Sequence, residues 1–263
     1  MKLAELTGHW ALITGASSGI GREFAKQLAG RGINTILVAR RKDLLEELSM
    51  ELESQFKTKA WSLPLDLTHC DDIGKELRNL LKERSIKPRL ICNNAGIGRW
   101  DNFEGFPVED YVRMIRLNLM APMTICHHFL PDLKSFSSSV IINITSPVAI
   151  HPTPSMASYG ASKAALHNLS LALGEEWATY GILVQTLVPG PTRTDFDNGR
   201  LAAVPRFVKK WDPAEKVVKA SLAGIENEKR LVITASGFMG QKIFWALAPT
   251  KTALRVISNA LRP

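Results

Sequence analysis

Early in the chain an apolar run, His9–Thr14 (HWALIT), breaks directly into Thr14-Gly15-Ala16-Ser17-Ser18-Gly19-Ile20-Gly21 and then into a helical pattern. Three glycines between a strand and a helix let the backbone approach a pyrophosphate and let the helix pack closely on a sheet. The helix start adds N–H donors and a partial positive charge, so the turn suits a phosphate group. Gly15-Ala16-Ser17-Ser18-Gly19 also fits G-x-S-x-G, the strand-to-helix elbow that carries a hydrolase nucleophile. An elbow needs earlier strands to build its oxyanion loop, and only 14 residues precede Gly15. Gly21 has no part in an elbow but does in a dinucleotide turn, so the dinucleotide reading leads and a turn without ligand comes last.

Beyond the glycine turn the chain has the rhythm of βαβ units. After His9–Thr14, the runs Asn34–Ala39, Lys59–Leu63, Arg89–Asn93, Val140–Thr145, Ile182–Val188 and Arg230–Thr234 predict strands. Between them Ile20–Gly30, Lys42–Phe56, Asp71–Arg84, Val108–Leu130, Ala157–Tyr180 and Ala214–Ile225 predict helices. Several strands lack apolar/polar alternation, as expected where helices cover both faces of a parallel sheet. With 45% apolar and 22% charged residues, the composition excludes a disordered or fibrous chain. No apolar run reaches the ~18–20 residues that span a bilayer. The first residues leave no room for a signal-peptide core. Cys70, Cys92 and Cys126 form no CxxC, which predicts reduced thiols and a cytoplasmic protein. The expected organisation is a dinucleotide-binding and catalytic domain over 1–235 and a helical tail over 236–263. Residues 190–212, with Pro191, Gly199 and Pro205 and no period, predict a substrate loop.

Two more motifs come after the glycine turn in order: Asn93-Asn94-Ala95-Gly96 after the fourth strand, and Tyr159-Gly160-Ala161-Ser162-Lys163 on the long helix after the fifth. Ser146 lies 13 residues before Tyr159, Asn118 falls in the segment after the fourth strand, and Pro189-Gly190-Pro191-Thr192-Arg193-Thr194 comes after the sixth. Together these motifs make the chain resemble the short-chain dehydrogenase/reductase family, with TGxxxGxG, NNAG and YxxxK in place over about residues 7–195. The resemblance implies a doubly wound Rossmann-type α/β domain with a seven-stranded parallel sheet, helices on both faces and strand order 3-2-1-4-5-6-7. It also implies a catalytic set of Asn118, Ser146, Tyr159 and Lys163.

Tyr159 and Lys163 share a helix face. A cation near a phenol favours the phenolate and lowers a pKa of ~10 toward the working range. By resemblance Tyr159 exchanges a proton with the substrate oxygen and Ser146 orients that oxygen. Lys163 holds the nicotinamide ribose, and Asn118 supports a water leading to solvent. Cofactor contacts are implied for Gly15, Ser17, Ser18, Gly19, Ile20 and Gly21 in the turn. Asn93, Ala95 and Gly96 would contribute after the fourth strand, and Pro189, Gly190, Thr192 and Thr194 after the sixth. Asp66, with Leu67, matches the family position that binds the adenine amino group. NAD enzymes place an acid at the end of the second strand for the ribose 2′-hydroxyl. Here Arg40 and Arg41 stand there, groups that bind a 2′-phosphate, which predicts NADP(H). Pro147 after the serine and Ile150 in place of a frequent glycine depart from the family pattern and bear on pocket shape. No metal is expected, because adjacent residues in Cys126-His127-His128 point in different directions on a helix. His151, Trp100 and Trp211 are candidates to line a substrate pocket.

The expected activity is NADPH-dependent reduction of a ketone or aldehyde, of oxoacyl, steroid-like or other apolar type and including acyl thioesters. The alternative is a non-catalytic dinucleotide-binding sensor or scaffold, and a homodimer or homotetramer is common among relatives. The net charge of +8 is unevenly spread. Residues 1–199 hold 21 basic and 21 acidic side chains, residues 200–263 hold 12 and 4, and no acid comes after Glu228. In the tail, Ala253, Leu254, Ile257, Ala260 and Leu261 make one apolar stripe beside Lys251 and Arg255. Packing on the protein's own domain or on a second subunit is the first reading of this tail. Peripheral contact with an anionic membrane or an acidic carrier is the second. Nucleic acid is not expected, since no aromatic-basic motif is present.

Overall fold

The computed structural model describes residues 2–100, 102–192 and 211–261. Its strands are β1 (Trp10–Thr14), β2 (Asn34–Ala39), β3 (Ala60–Pro64), β4 (Pro88–Asn93), β5 (Ser139–Ile144), β6 (Ile182–Val188) and β7 (Leu231–Ile233). They form one seven-stranded sheet in the order β3-β2-β1-β4-β5-β6-β7, parallel at every pairing, as expected. The order reverses between β1 and β4, and the carboxyl ends of strands at such a point form a ligand-binding crevice.

Helices cover both faces. On one side α1 (Gly19–Ala29), α2 (Lys42–Phe56) and α7 (Ala214–Glu226) pack through Phe24, Leu28, Leu45, Leu48 and Val218. On the other, α3 (Ile73–Glu83) and α5 (Ala121–Leu133) pack through Leu77, Leu81, Ile125 and Phe129. Strand residues divide between the two cores with a period of two: Ala11 and Ile13 join the first, and Leu12 the second. Likewise Leu90 and Cys92 oppose Ile91, and Val140 and Ile142 oppose Ile141. Both faces being apolar is why these strands read as continuous apolar runs.

The predicted helix Val108–Leu130 is interrupted. α4 (Val108–Ile115) passes through one π-helical turn, Arg116–Met120, into α5. Pro122 has no N–H to give to the Asn118 carbonyl, so the ladder widens there and Asn118 lies within the wide turn. The predicted Ala157–Tyr180 helix ends earlier, as α6 (Ala157–Glu176) and then a 3₁₀ turn, Ala178–Tyr180. Pro249 divides the tail into α8 (Phe238–Leu247) and α9 (Thr250–Leu261). The predicted stripe on α9 turns inward where its side chains are described, with Ala253 buried and Leu254 and Ile257 half-buried. Most of the apolar residues of α8 face outward instead.

α3 and α5 approach so closely that a Cβ on Gly74 would lie 2.3 Å from the Thr124 carbonyl carbon and oxygen. A Gly→Ala change inside a helix ordinarily gains up to about 1 kcal/mol. Here the obstacle is backbone, and Gly74→Ala should instead destabilise by about 1–3 kcal/mol. Urea unfolding would measure it, and a midpoint at or above that of the parent chain would contradict this packing.

Candidate active site

The site begins at the sheet's reversal point. Thr14, buried at the end of β1, donates its hydroxyl hydrogen to the Cys92 carbonyl at 3.3 Å. The same oxygen accepts from the N–H groups of Asn94 and Ala95, each at 3.0 Å. The Asn94 amide returns the contact, donating to the carbonyls of Thr14 (3.0 Å) and Gly15 (3.2 Å). The first two motifs are thus bolted together. Gly15 has φ +67°, and a Cβ on Gly21 would fall 2.3 Å from the Gly15 carbonyl oxygen, so the turn closes only with glycine at both places.

Ser18 stands at the N-cap of α1 without capping it through its side chain. Its hydroxyl accepts instead from Arg41 Nη2 at 2.7 Å, and Ser17 accepts from the same guanidinium at 3.0 and 3.2 Å. The first-turn N–H groups around Gly19, Ile20 and Gly21 are therefore left to a ligand. Arg40 and Arg41 are both exposed just beyond β2. Farther along the same edge, Asp66 Oδ1 accepts from Thr68 N (2.9 Å) and Thr68 Oγ1 (2.7 Å). Burial resists its ionisation, but the Thr68 hydrogen bonds with Arg40 and Arg113 outweigh that and hold the carboxyl below its usual range. Leu67 beside it is buried. An uncapped helix start, two hydroxyls and two guanidiniums in one cradle fit an anionic dinucleotide.

Past the reversal point lies the second cluster. Ser146, after β5, opens a 3₁₀ turn formed by Pro147–Ile150, and its hydroxyl is hydrogen-bonded to the Tyr159 phenol. Lys163 is buried on α6 and donates to the Ile144 carbonyl at 2.9 Å. Asn118 Oδ1 accepts from Ile97 N at 2.9 Å, and its Nδ2 donates to Ile97 O at 2.9 Å and Ser162 Oγ at 3.0 Å. Ser162 in turn donates to the Tyr159 carbonyl at 2.7 Å. Asn118 therefore ties the chain after Gly96 to the helix turn that carries Tyr159 and Lys163. Gly96 lies against both, since a Cβ there would be 3.2 Å from Asn118 Oδ1 and 3.4 Å from Lys163 Nζ.

The electrostatics differ from the sequence expectation of a lowered tyrosine. Burial pushes the Tyr159 phenol up to about 12, with the Ser146 hydrogen bond working against the rise. Burial also pulls Lys163 down to about 8. The ammonium is held on the Ile144 carbonyl, with Nζ 6.0 Å from the centre of the Tyr159 ring, and desolvation of the phenolate dominates.

The remaining expected residues are more varied in placement. The Asn93 side chain is turned into the sheet, donating to Asn143 Oδ1 at 2.8 Å, so it offers a ligand only main chain. Pro189, Gly190 and Thr192 come after β6; Thr192 Oγ1 donates to the Gly190 carbonyl at 2.8 Å, and Thr192 forms an isolated β-bridge with Asp212. The ends of the expected substrate loop are thereby joined. Thr194, like residues 193–210 generally, lies outside the described residues. Cys126 is buried, His127 is exposed, and His128 pairs with Asp72 at 2.8 Å. His151 rests against Trp245 of α8, ring centres 5.5 Å apart, while Trp100 and Trp211 are half-buried.

Three features escaped sequence reasoning. Asn94 is a positioning residue hidden inside a recognised motif. His69, Cys70 and Glu76 bring their ligating atoms within 4.8 Å of one another, though His69 and Glu76 already pair directly at 2.7 Å. A small cavity beside Tyr159 is lined by Phe103, Phe106, Tyr111, Met114 and Met156 together with Arg99, Ser155 and Ser158, with Phe103 and Tyr111 stacked at 4.7 Å. Phe103, Phe106 and Tyr111 were the available signal, but the first two stand in a segment without period, before the predicted helix that carries Tyr111.

Similarity to known proteins runs the same way. The family described as short chain dehydrogenase matches residues 9–204. "Inactive hydroxysteroid dehydrogenase-like protein 1" of Pongo abelii is 33% identical over 189 residues, 69% of this chain and 55% of its own. The chain thus spans about half the length of that relative. "Very-long-chain 3-oxoacyl-CoA reductase" of Anas platyrhynchos is 30% identical over 256 residues, 95% of this chain and 79% of its own. A short-chain dehydrogenase from Sphingobium yanoikuyae, solved in complex with NADPH, superposes with a TM-score of 0.79 at 29% identity, covering 97% of this chain and 96% of that one. With the sheet order, the bolted glycine turn and the match over most of its length in agreement, the chain belongs to the short-chain dehydrogenase/reductase family of oxidoreductases, which bind nicotinamide dinucleotides.

Proposed function

We propose that the chain is an NADPH-dependent reductase that converts an apolar ketone, on an acyl chain or a steroid-like skeleton, to the secondary alcohol. The observation that carries this reading is the buried Tyr159 phenol. It is hydrogen-bonded by Ser146, lies one helical turn from Lys163 and borders a small hollow in which aromatic and methionine side chains are mixed with Arg99, Ser155 and Ser158. When bound, the nicotinamide supplies the hydride. Tyr159 Oη gives its proton to the carbonyl oxygen as that oxygen becomes an alkoxide, and Ser146 hydrogen-bonds and orients the same oxygen. The Lys163 ammonium offsets the charge left on the phenolate. Asn118, through Ser162 and Ile97, is a positioning residue that fixes the helix turn bearing both groups. A relative named as a very-long-chain 3-oxoacyl-CoA reductase supports a carbonyl on a long acyl chain, thioester-linked.

For the cofactor, Arg41 held by Ser17 and Ser18, with Arg40 beside it, supports NADPH over NADH, since guanidiniums pair with a 2′-phosphate and nothing acidic replaces them at the end of β2. A second reading, a nucleotide-binding sensor without turnover, is favoured by the relative whose name includes the word inactive. The joined set of Asn118, Ser146, Tyr159 and Lys163 weighs against it, because nucleotide binding alone has no use for a proton donor.

Three outcomes are expected. Tyr159→Phe should cut carbonyl reduction by ~10²–10⁴-fold while leaving NADPH affinity near the parent value. NADPH consumption and fluorescence titration read the two separately, and a variant as active as the parent would remove Tyr159 from its role. Arg41→Ala should weaken NADPH by about tenfold or more and NADH little; equal weakening of both would place the 2′-phosphate elsewhere. Tyr159, raised to about 12, is protonated throughout the working range, as an acid must be, whereas Lys163 loses its charge as pH rises through about 8. The pH profile of kcat/KM for reduction should accordingly be level below 8 and fall above it, and a rise across that range would contradict the assignment.

A further inference from the structure

The excess positive charge and the outward apolar residues meet on α8. Met239, Ile243 and Leu247 stand at i, i+4 and i+8, with Phe244 alongside, and are 59%, 53%, 80% and 41% exposed. The helix is anchored through its opposite side, where Phe238 is buried and Trp245 lies against His151. Its outer face is therefore a fixed apolar ridge. Lys242 on α8 and Lys251 and Arg255 on α9 are exposed, and residues 229–263 contain no acid.

We propose that α8 seats this protein on an anionic membrane surface, its apolar ridge entering the headgroup boundary and the cations of α8 and α9 meeting lipid phosphates. An amphipathic helix binds a bilayer interface through this combination of buried apolar area and attraction to anionic lipid. A second copy of the chain is the poorer occupant. A twofold contact through α8 would bring two basic faces together with no acid from residues 229–263 of either copy to pair them. An acidic carrier protein would answer the charge, but it would have to receive a protruding ridge tipped by Leu247, which a fluid interface accepts without a shaped groove. Trp245 and His151 hold α8 to the turn after Ser146 on the side of the helix away from the ridge, which leaves the ridge free to meet a surface.

The test is co-sedimentation of the full chain with vesicles of phosphatidylcholine alone and of equimolar phosphatidylglycerol and phosphatidylcholine, scored without turnover. Pelleting with the anionic vesicles only, weakening as salt rises, is the expected result. Ile243→Asp with Leu247→Asp should lower anionic-vesicle binding by about tenfold or more. Lys242→Gln with Lys251→Gln and Arg255→Gln should remove the anionic preference. Circular dichroism melting confirms the fold of each variant. Equal binding to both vesicle types by the parent, or parent-like pelleting of both variants, would overturn the proposal. So would a loss of oligomer size in the Ile243→Asp, Leu247→Asp variant, which would assign the ridge to a second copy.

Discussion

One hydroxyl group carries much of the architecture. Thr14 Oγ1 receives two N–H donors from the segment after β4 and gives its own hydrogen to the β4 backbone, where the strand order turns back on itself. Two parallel strands joined only by distant crossovers have no turn to set the relation of their ends. Here that relation is set by Thr14 and by the Asn94 amide, which reaches back to the carbonyls of Thr14 and Gly15. A buried donor or acceptor left unpaired costs about 1–3 kcal/mol, so these mutually satisfied groups hold one another in register. The glycine turn, the start of α1 that comes after it and the path of the chain toward Ile97 all depend on that register.

A second consequence of burial is electrostatic. Tyr159 and Lys163 are both enclosed, and desolvation drives both toward their neutral forms, the phenol upward and the ammonium downward. The usual gap between a cationic lysine and a neutral tyrosine is thereby reordered, so that Lys163 titrates nearest the physiological range. In such a pair the phenol keeps its proton, and the ammonium is the group whose charge changes first as pH rises.

Much of this was legible in the residues because it is local. The strands, the glycine turn and the break at Pro249 each depend on a few neighbouring residues and on patterns of period two or 3.6. The sheet order came through resemblance and holds. What was not legible depends on distant partners. The π-helical turn at Arg116–Met120 places Asn118 where it can reach Ile97 and Ser162, contacts 21 and 44 residues away in sequence. The direction of the Tyr159 shift depends on how deeply the phenol is enclosed, which spacing cannot express. Part of the aromatic lining, Phe103 and Phe106, came from an irregular segment with no period to expose it, while Tyr111 lay on a predicted helix whose partner across the cavity spacing could not show. In the tail, apolar periodicity marked α9, yet tertiary packing turned that stripe inward and left α8 outside.

The chain therefore keeps two populations of positive charge with different physical settings. Arg41 is braced by two serine hydroxyls beside an uncapped helix start, so its guanidinium is already oriented and an anion there meets a site with little side-chain entropy left to lose. Lys242, Lys251 and Arg255 are exposed beside apolar side chains that water solvates poorly, and the sequence around them supplies no acid. The first is a single guanidinium braced at a helix start, and the second is a group of exposed cations spread over two helices. His151 against Trp245 joins α8 to the 3₁₀ turn that comes after Ser146.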